Sequence, residues 1–191
     1  TGALVIPPSV TQICREAFYN CTGLNGTLKI PNNVTKISYS AFYNCSGLIG
    51  SLNIPNTVEK IESYAFYNCF GFNGMLSISN NLKILGENVF FNCKGLTGSL
   101  TIPNSITYIY KYAFYSCTGF NGTLTLSSSL ITIDEYAFSE CSGFIGSLVI
   151  PNHVSKICKN AFSNCRGFNG QLIIPDSVTD IEDYAFAYCR G

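Results

Sequence analysis

Charged residues and histidine are scarce in this chain. Only 12% of its 191 residues are charged, and 11 Lys and Arg balance 11 Asp and Glu, so the formal net charge is zero. No basic face emerges that would neutralise a phosphate backbone, which argues against nucleic acid as a partner. No apolar run approaches the roughly 20 residues that a membrane-spanning helix needs.

The single histidine, His153, stands where neighbouring repeats have Asn, Ser or Thr, so we expect an exposed loop residue. No acid pairs with it by spacing, and no serine lies in a nucleophile elbow. The carboxylates cluster only at Asp176, Asp180, Glu182 and Asp183. A calcium site needs six to eight oxygen ligands from a folded loop, so a solvated acidic edge is the simpler interpretation. The sequence predicts no catalytic residue, no cofactor and no metal.

One short motif recurs along the chain. AFYNC stands at 17–21, 41–45 and 65–69, and weaker copies follow up to AFAYC at 185–189. Each copy ends 24 residues after the last, at Cys21, Cys45, Cys69, Cys93, Cys117, Cys141, Cys165 and Cys189. A fixed period of this length predicts one solenoid of eight stacked units over residues 1–191, instead of a closed globule.

The first half of each unit has strand character. Leu28 and Ile30 alternate with Lys29, which is typical of a strand with one buried face. Pro31 follows and lacks the N–H that would continue the ladder. Val34 and Ile37 then mark a second short extended segment or turn.

The second half of each unit has a different spacing. Ala41, Phe42 and Cys45 follow an i, i+1, i+4 pattern, which predicts one turn of helix with a buried inner face. A single unit cannot bury this apolar face. We therefore expect the units to stack, with short parallel strands about 4.8 Å apart and helical turns on the other side.

The series Leu24, Leu28, Ile30, Val34, Ile37, Phe42 and Cys45 resembles a leucine-rich repeat of the BspA-like type. The resemblance covers the whole chain and implies a leucine-rich-repeat solenoid. Each unit carries one residue more than the commonest form of that family, in the Gly-x-x-Gly stretch before the strand. The resemblance also implies a surface protein of mucosal bacteria or protozoan parasites, one that adheres to host cells or extracellular matrix. It brings no catalytic residues.

Ten cysteines would suggest a disulfide scaffold in a secreted protein. The eight periodic cysteines instead occupy one inward position with parallel Cβ directions, so we expect buried free thiols, with neither bridges nor a metal. Cys14 and Cys158 lie outside this series, at a position that is polar in most units. We expect both to be exposed. They are either tolerated substitutions at a surface position or the source of an intermolecular disulfide bridge.

Recognition in a solenoid falls to the variable outward positions. Two rows are candidates, and the first is the outward strand position, with Lys29, Asn53, Thr101, Thr125, Val149 and Ile173. The second follows Phe42 in the repeat and holds Tyr43, Tyr67 and Tyr115, beside a third row that includes Tyr64, Tyr112 and Tyr136. Tyrosine gives large contact area at low entropic cost. Its rings either half-bury against neighbouring coils or contact a partner.

Sequons for N-glycosylation occur at Asn20, Asn25, Asn33, Asn44 and Asn121, as weak support for a secretory route. The chain begins within a unit and ends just after Cys189. We therefore expect a fragment of a longer array, whose signal and anchor lie outside it, and self-association through the cut ends.

These features lead to one functional prediction and one alternative. The prediction is a non-catalytic adhesion module of a microbial or parasite surface protein, secreted or at the cell surface, with host or matrix proteins as partners. The alternative is a structural spacer that projects other domains without binding.

Overall fold

The computed structural model describes residues 2–191 as a solenoid in which every strand is parallel to its neighbours. The strands are only two residues long, because each coil turns again at once. Their bounds are β1 (Gln12–Ile13), β2 (Lys36–Ile37), β3 (Leu52–Asn53), β4 (Lys60–Ile61), β5 (Leu76–Ser77), β6 (Ile84–Leu85), β7 (Leu100–Thr101), β8 (Tyr108–Ile109), β9 (Leu124–Thr125), β10 (Thr132–Ile133), β11 (Leu148–Val149), β12 (Lys156–Ile157), β13 (Leu172–Ile173) and β14 (Asp180–Ile181). The predicted parallel-strand solenoid is confirmed.

One row of strands comes from the segment after the proline. It forms two four-stranded sheets, β1-β2-β4-β6 and β8-β10-β12-β14, with partners one repeat apart, such as Ile37 and Ile61. The isoleucine of each inner strand points into the core and is fully buried, whereas the residue before it remains partly exposed. The second short extended segment predicted around Ile37 is therefore a strand with one buried face.

The other row, which carries the Leu-x-Ile strands, pairs only at alternate junctions. β3 pairs with β5, β7 with β9, and β11 with β13, each as a separate two-stranded sheet. Leu52 N–H donates to Met75 O at 2.9 Å, and Ile54 N–H donates to Ser77 O at 2.9 Å. Between β5 and β7, and between β9 and β11, no such pairing occurs in the described part of the chain.

The loops before these strands explain the alternation. In every second coil the loop holds Gly50, Gly98 or Gly146, at φ of 81°, 78° and 80°. Gly50 N–H donates to Asn73 Oδ1 of the next coil at 2.8 Å, and Met75 N–H donates back to Ser51 Oγ at 3.1 Å. The same reciprocal pair recurs one double repeat later, between Gly98 and Asn121 and between Ser99 and Thr123. The structural unit is thus a pair of coils.

The prediction of a helical turn in AFYNC is wrong, since residues 2–191 contain no α-helix. Ser40 and Asn44 instead adopt left-handed backbone conformations, at φ of 51° and 56°. The equivalent residues of all the other coils do the same. Backbone N–H groups alternate in direction as a result. Those of Ala41, Tyr43 and Cys45 bond within the turn, whereas those of Ser40, Phe42 and Asn44 donate to carbonyl oxygens of the next coil. A helix would direct all of them along its own axis, so none of them would bond to the next coil on this side of the solenoid.

The core is a column of stacked phenylalanine rings. Phe18, Phe42, Phe66 and their equivalents up to Phe186 follow one another with centroid distances of 5.1 to 5.5 Å. Alanine or valine and a cysteine flank each ring of the inner coils, and these side chains are fully buried. Burying each aromatic side chain contributes about 2–3 kcal/mol to the free energy of folding, so this column is a principal source of stability. None of residues 2–191 lies in a helix that could span a bilayer.

Candidate binding surfaces

The outward strand row, hereafter the strand face, lies in solvent along the whole solenoid. Lys29, Asn53, Thr101, Thr125, Val149 and Ile173 are all exposed, whereas the leucine before each of them is buried in the inner coils. The strand face changes from polar at Asn53 and Thr101 to apolar at Val149 and Ile173. It offers short side chains over a nearly continuous surface.

Two grooves open on the strand face at unpaired junctions. The first has a volume of about 700 Å³, lies across Ser77 and Thr101, and is lined mainly by Asn, Ser and Thr. The second, of about 660 Å³, lies across Thr125 and Val149 and has a more apolar lining that includes His153. His153 is exposed, and its Nδ1 lies 3.0 Å from Ser128 O, so it takes part in loop packing.

The grooves also expose backbone groups. At the junction between β5 and β7, the N–H groups of Leu76 and Ile78 find no backbone acceptor among residues 2–191. Their counterparts in the paired coils, Leu52 and Ile54, are both bonded. Sequence reasoning missed these sites. The alternation of Asn-Gly with Ile-Gly-Ser or Thr-Gly-Ser in the loops was the available signal.

A ladder of aromatic rings runs along another side of the solenoid. This tyrosine ladder comprises Tyr19, Tyr43, Tyr67, Phe91 and Tyr115, with ring centroids 4.8, 4.7, 4.6 and 4.8 Å apart and interplanar angles of 15° or less. Tyr19 is half exposed, and the inner members are partly buried. Because neighbouring rings cover each other's faces, ring edges and hydroxyl groups remain for contact with a partner.

A second set of tyrosines leans against the ladder. Tyr64, Tyr112 and Tyr136 lie at left-handed positions, with φ of 62°, 56° and 56°. Tyr64 tilts by 45° against Tyr67, and Tyr112 lies edge-on to Tyr115. A bulky residue in this backbone region is costly, whereas the asparagine found there in other coils is tolerated. Strained positions of this kind cluster at functional sites.

The hydroxyl groups of Tyr43, Tyr64 and Tyr115 on this side remain protonated and available as donors. Burial, followed by repulsion from neighbouring tyrosines, raises the pKa of Tyr43 and Tyr64. Burial together with the nearby Glu140 raises the pKa of Tyr115. Among residues 2–191, the tyrosine hydroxyl with a side-chain partner is that of Tyr108, which donates to Asp134 Oδ2 at 3.2 Å.

The periodic cysteines carry free thiols. Those of the six inner coils, from Cys45 to Cys165, are fully buried, whereas Cys21 is partly buried and Cys189 is exposed. Each thiol from Cys45 onward donates to the carbonyl oxygen of the phenylalanine one coil earlier, at 2.9 to 3.2 Å. Burial raises the pKa of Cys69 and Cys93 well above the ordinary thiol value, so these groups are chemically inert.

The two cysteines outside the series differ from each other. Cys14 is exposed, as expected. Cys158 is only 8% exposed, so the expectation of exposure is wrong for it. Ser38, at the equivalent place in the second unit, is buried as well. Burial and the nearby Glu182 and Asp134 raise the pKa of Cys158 to about 11.

Charged residues form small ion pairs on the edge of the first strand row. Lys36 and Lys60 both contact Glu62, at 3.0 and 2.9 Å. Lys156 lies between Asp180 and Glu182, at 3.8 and 2.6 Å, so two of the clustered carboxylates share one lysine. Within residues 2–191, no three His, Cys, Asp or Glu side chains come together in a group that could hold a metal ion.

The asparagine side chains of the sequons differ in their hydrogen bonding. Asn33 donates to Pro8 O at 2.7 Å, and Asn44 donates to Asn20 Oδ1 at 2.6 Å. Asn121 accepts from Gly98 N–H as part of the double repeat. Asn25 is exposed.

Parallel coils, a phenylalanine column and short strands in two rows define the class of leucine-rich-repeat solenoids. The model of the BspA type leucine rich repeat region matches residues 2–121 and 73–191 in this chain. The chain therefore belongs to the BspA type leucine-rich-repeat family, as its sequence indicates. No match was found among curated proteins.

Solved bacterial structures share the fold. The T. pallidum leucine-rich repeat protein TpLRR aligns over 98% of this chain and 76% of its own, with a TM-score of 0.64 and 23% identity. A leucine-rich repeat protein from Bacteroides ovatus aligns over 96% of this chain and 63% of its own, with a TM-score of 0.58 and 21% identity. A leucine rich cell surface protein from Faecalibacterium prausnitzii aligns over 96% and 69%, with a TM-score of 0.51 and 22% identity.

Proposed function

We propose that this chain is a non-catalytic binding module of a microbial or parasite surface protein, and that it adheres to proteins of host cells or extracellular matrix. Membership in the BspA type family supports a binding role, because repeat solenoids recognise partners through outward positions. The similar F. prausnitzii protein is described as a cell surface protein, which supports the same location here.

The aromatic side of the solenoid is the observation that carries the proposal. Tyr43, Tyr67 and Tyr115 lie in the ladder, and Tyr64 and Tyr112 accept an unfavourable backbone conformation to lie beside it. Packing alone does not require tyrosine there, since Asn88 and Asn160 occupy the same position in other coils. Tyrosine-rich surfaces give rigid contact area, and repetition adds avidity.

The test is saturable binding of residues 1–191 to epithelial cells and to immobilised matrix proteins. The main variant changes Tyr43, Tyr67 and Tyr115 to Ser, and we expect binding to fall at least about tenfold. A matched variant changes Asn53, Thr101 and Thr125 to Ala, and it should bind like the wild type. As a folding control, both variants should show the same circular dichroism spectrum and thermal unfolding transition as the wild type.

Two other outcomes are informative. If only the strand-face variant loses binding, the binding site moves to the row from Lys29 to Ile173. If no protein binds, the spacer alternative is favoured. The unbroken phenylalanine column supports that alternative, because it makes the solenoid a stiff rod that is able to project other domains.

A further inference from the structure

We propose that the groove beside the tyrosine ladder binds a proline-rich polypeptide in the polyproline II conformation. This inference rests on the proposed function and names the class of partner that the aromatic side would take. The first observation is the shape of the groove. It has a volume of about 510 Å³, and four rings line it, those of Tyr19, Tyr39, Tyr43 and Tyr64.

The rings form a wedge instead of a flat platform. Tyr19 and Tyr43 stack almost parallel on one side, at an interplanar angle of 15°. Tyr39 and Tyr64 form the other side and tilt by 57° against each other. Polyproline II ligands dock in aromatic-lined grooves of this kind, where pyrrolidine rings slot between aromatic side chains.

The period of the ladder matches that of the ligand. Two successive ladder steps, of 4.8 and 4.7 Å, are about as long as one three-residue turn of polyproline II at about 3.1 Å per residue. A proline would therefore meet an equivalent ring at every second coil. The four steps from Tyr19 to Tyr115 correspond to two turns, or about six residues of ligand.

The groove also complements the ligand electrostatically. A proline backbone has carbonyl acceptors and no N–H donors, and its carbonyl groups point outward into solvent. The groove supplies donors, namely the free tyrosine hydroxyls and the guanidinium of Arg15. Arg15 lies over the ring of Tyr39 at 5.0 Å and pairs at 3.2 Å with Glu16, whose carboxylate also lines the groove.

A carbohydrate fits this surface less well. Sugars stack on open aromatic faces, but the faces of Tyr43 and Tyr67 are covered by their neighbours at 4.7 Å. Only ring edges and hydroxyls remain along the ladder. The geometry therefore favours a ligand that inserts between tilted rings.

The experiment uses fluorescein-labelled oligoprolines of three, six and twelve residues with residues 1–191, followed by fluorescence anisotropy. We expect saturable binding that strengthens about tenfold or more from three to six residues, and much less from six to twelve. A Gly-Ser peptide of twelve residues, with the same label and no polyproline II preference, is the control probe. Equal binding of the Gly-Ser peptide would overturn the proposal.

Two variants locate the site. Tyr39→Ser should weaken binding of the six-residue probe at least about tenfold, as at an aromatic hot spot. Arg15→Gln removes an exposed charge without touching the core, so it tests the site even if Tyr39→Ser folds poorly. Tyr188→Ser, at an exposed tyrosine near the other end of the chain, should bind like the wild type. Wild-type affinity in both groove variants would contradict the proposal.

The failure of this inference is distinguishable from failure of the proposed function. Binding to cells without oligoproline binding leaves the module an adhesin and overturns the ligand class. Tyr39-dependent binding to a glycan array instead would reassign the groove to carbohydrate.

Discussion

The thiol of Cys69 donates a hydrogen bond to the carbonyl oxygen of Phe42, one coil earlier, at 3.0 Å. The same carbonyl accepts a second bond from Cys45 N–H at 3.1 Å. The buried free thiol that the sequence predicts at this position is therefore also a hydrogen-bond donor between coils. This bond repeats along the array and ties the phenylalanine column to the cysteine series.

Replacing Cys69 with Ala should destabilise the solenoid by about 1–2 kcal/mol, from one lost hydrogen bond and a small cavity. The cost stays low because the Phe42 carbonyl keeps its bond from Cys45 N–H. Urea unfolding followed by circular dichroism measures the change. Cys14→Ala is the matched control and should lie within about 0.5 kcal/mol of the wild type. Equal stability of the two variants would argue against a structural role for the thiol.

Thiol reactivity should separate the exposed cysteines from the buried ones. Cys14 and Cys189 are exposed and should react with a chromogenic disulfide reagent in the native protein. Cys158 and the inner ladder thiols should react only after unfolding, because burial raises their pKa and blocks access. Mass spectrometry of the labelled peptides identifies the sites.

Of the two cysteines outside the series, only Cys14 should form an intermolecular disulfide, so any thiol-dependent dimer should depend on it. Non-reducing electrophoresis of Cys14→Ser and Cys158→Ser variants tests this expectation. Loss of the dimer in Cys158→Ser would show that the coil covering Cys158 opens in solution.

Acid should destabilise the protein through Glu62. Burial alone would raise the pKa of Glu62, but hydrogen bonds from Lys60, Lys36 and Tyr39 N–H outweigh it and lower the pKa from 4.5 to about 2. Because the folded pKa is depressed, the stabilisation is complete above pH 4.5 and is lost as the pH falls towards 2. The melting temperature should fall over that window.

The Glu62→Gln variant should show a flatter melting profile between these two pH values. Glu59→Gln removes an exposed pair with Lys83 and serves as the control, since exposed pairs contribute little. A profile for Glu62→Gln as steep as that of the wild type would assign the acid sensitivity to other carboxylates.

Hydrogen exchange should reveal the double repeat. The amides of Leu52 and Ile54 are bonded across a paired junction, whereas those of Leu76 and Ile78 lie at an unpaired one. We expect the second pair to exchange at least about tenfold faster, because no hydrogen bond between strands has to break before their N–H groups meet solvent. Mass spectrometry or NMR resolves the two segments, and equal protection would mean that the junctions close in solution.

Residues 1–191 should self-associate at high concentration through their terminal coils. Leu172 and Ile181 are exposed, whereas their equivalents one coil earlier, Leu148 and Ile157, are buried. Sedimentation equilibrium should show dimers that Leu172→Lys weakens. Ile131→Lys, at an exposed position within the array, is the control. A monomeric mass for the wild type at high concentration would contradict the prediction.

The sequence by itself determined the solenoid, its period and the identity of its inward residues. Leu28, Ile30, Ile37, Phe42 and Cys45 repeat at fixed places, and all five are buried. The prediction succeeds because all eight coils bury the same face, so each coil carries apolar residues at the same positions. The exposed strand row from Lys29 to Ile173 could be located from the same alternation.

The tertiary structure decided the path of the chain between those residues. The spacing of Ala41, Phe42 and Cys45 suits a helical turn, yet left-handed residues at Ser40 and Asn44 give the same inward set with different hydrogen bonds. Asparagine before the cysteine was a local signal for that conformation. Spacing alone reports which side chains point inward, not where their N–H groups bond.

Contacts between coils decided the rest. Cys158 is buried although its position is polar in most units, and the strand face pairs only at the alternate junctions where residues such as Gly50 and Asn73 of neighbouring coils bond to each other. Each of these outcomes depends on partners far apart in the chain. One repeat considered alone fixes its own buried face, and only the stacked array fixes which edges pair, which remain open and which surface residues are covered.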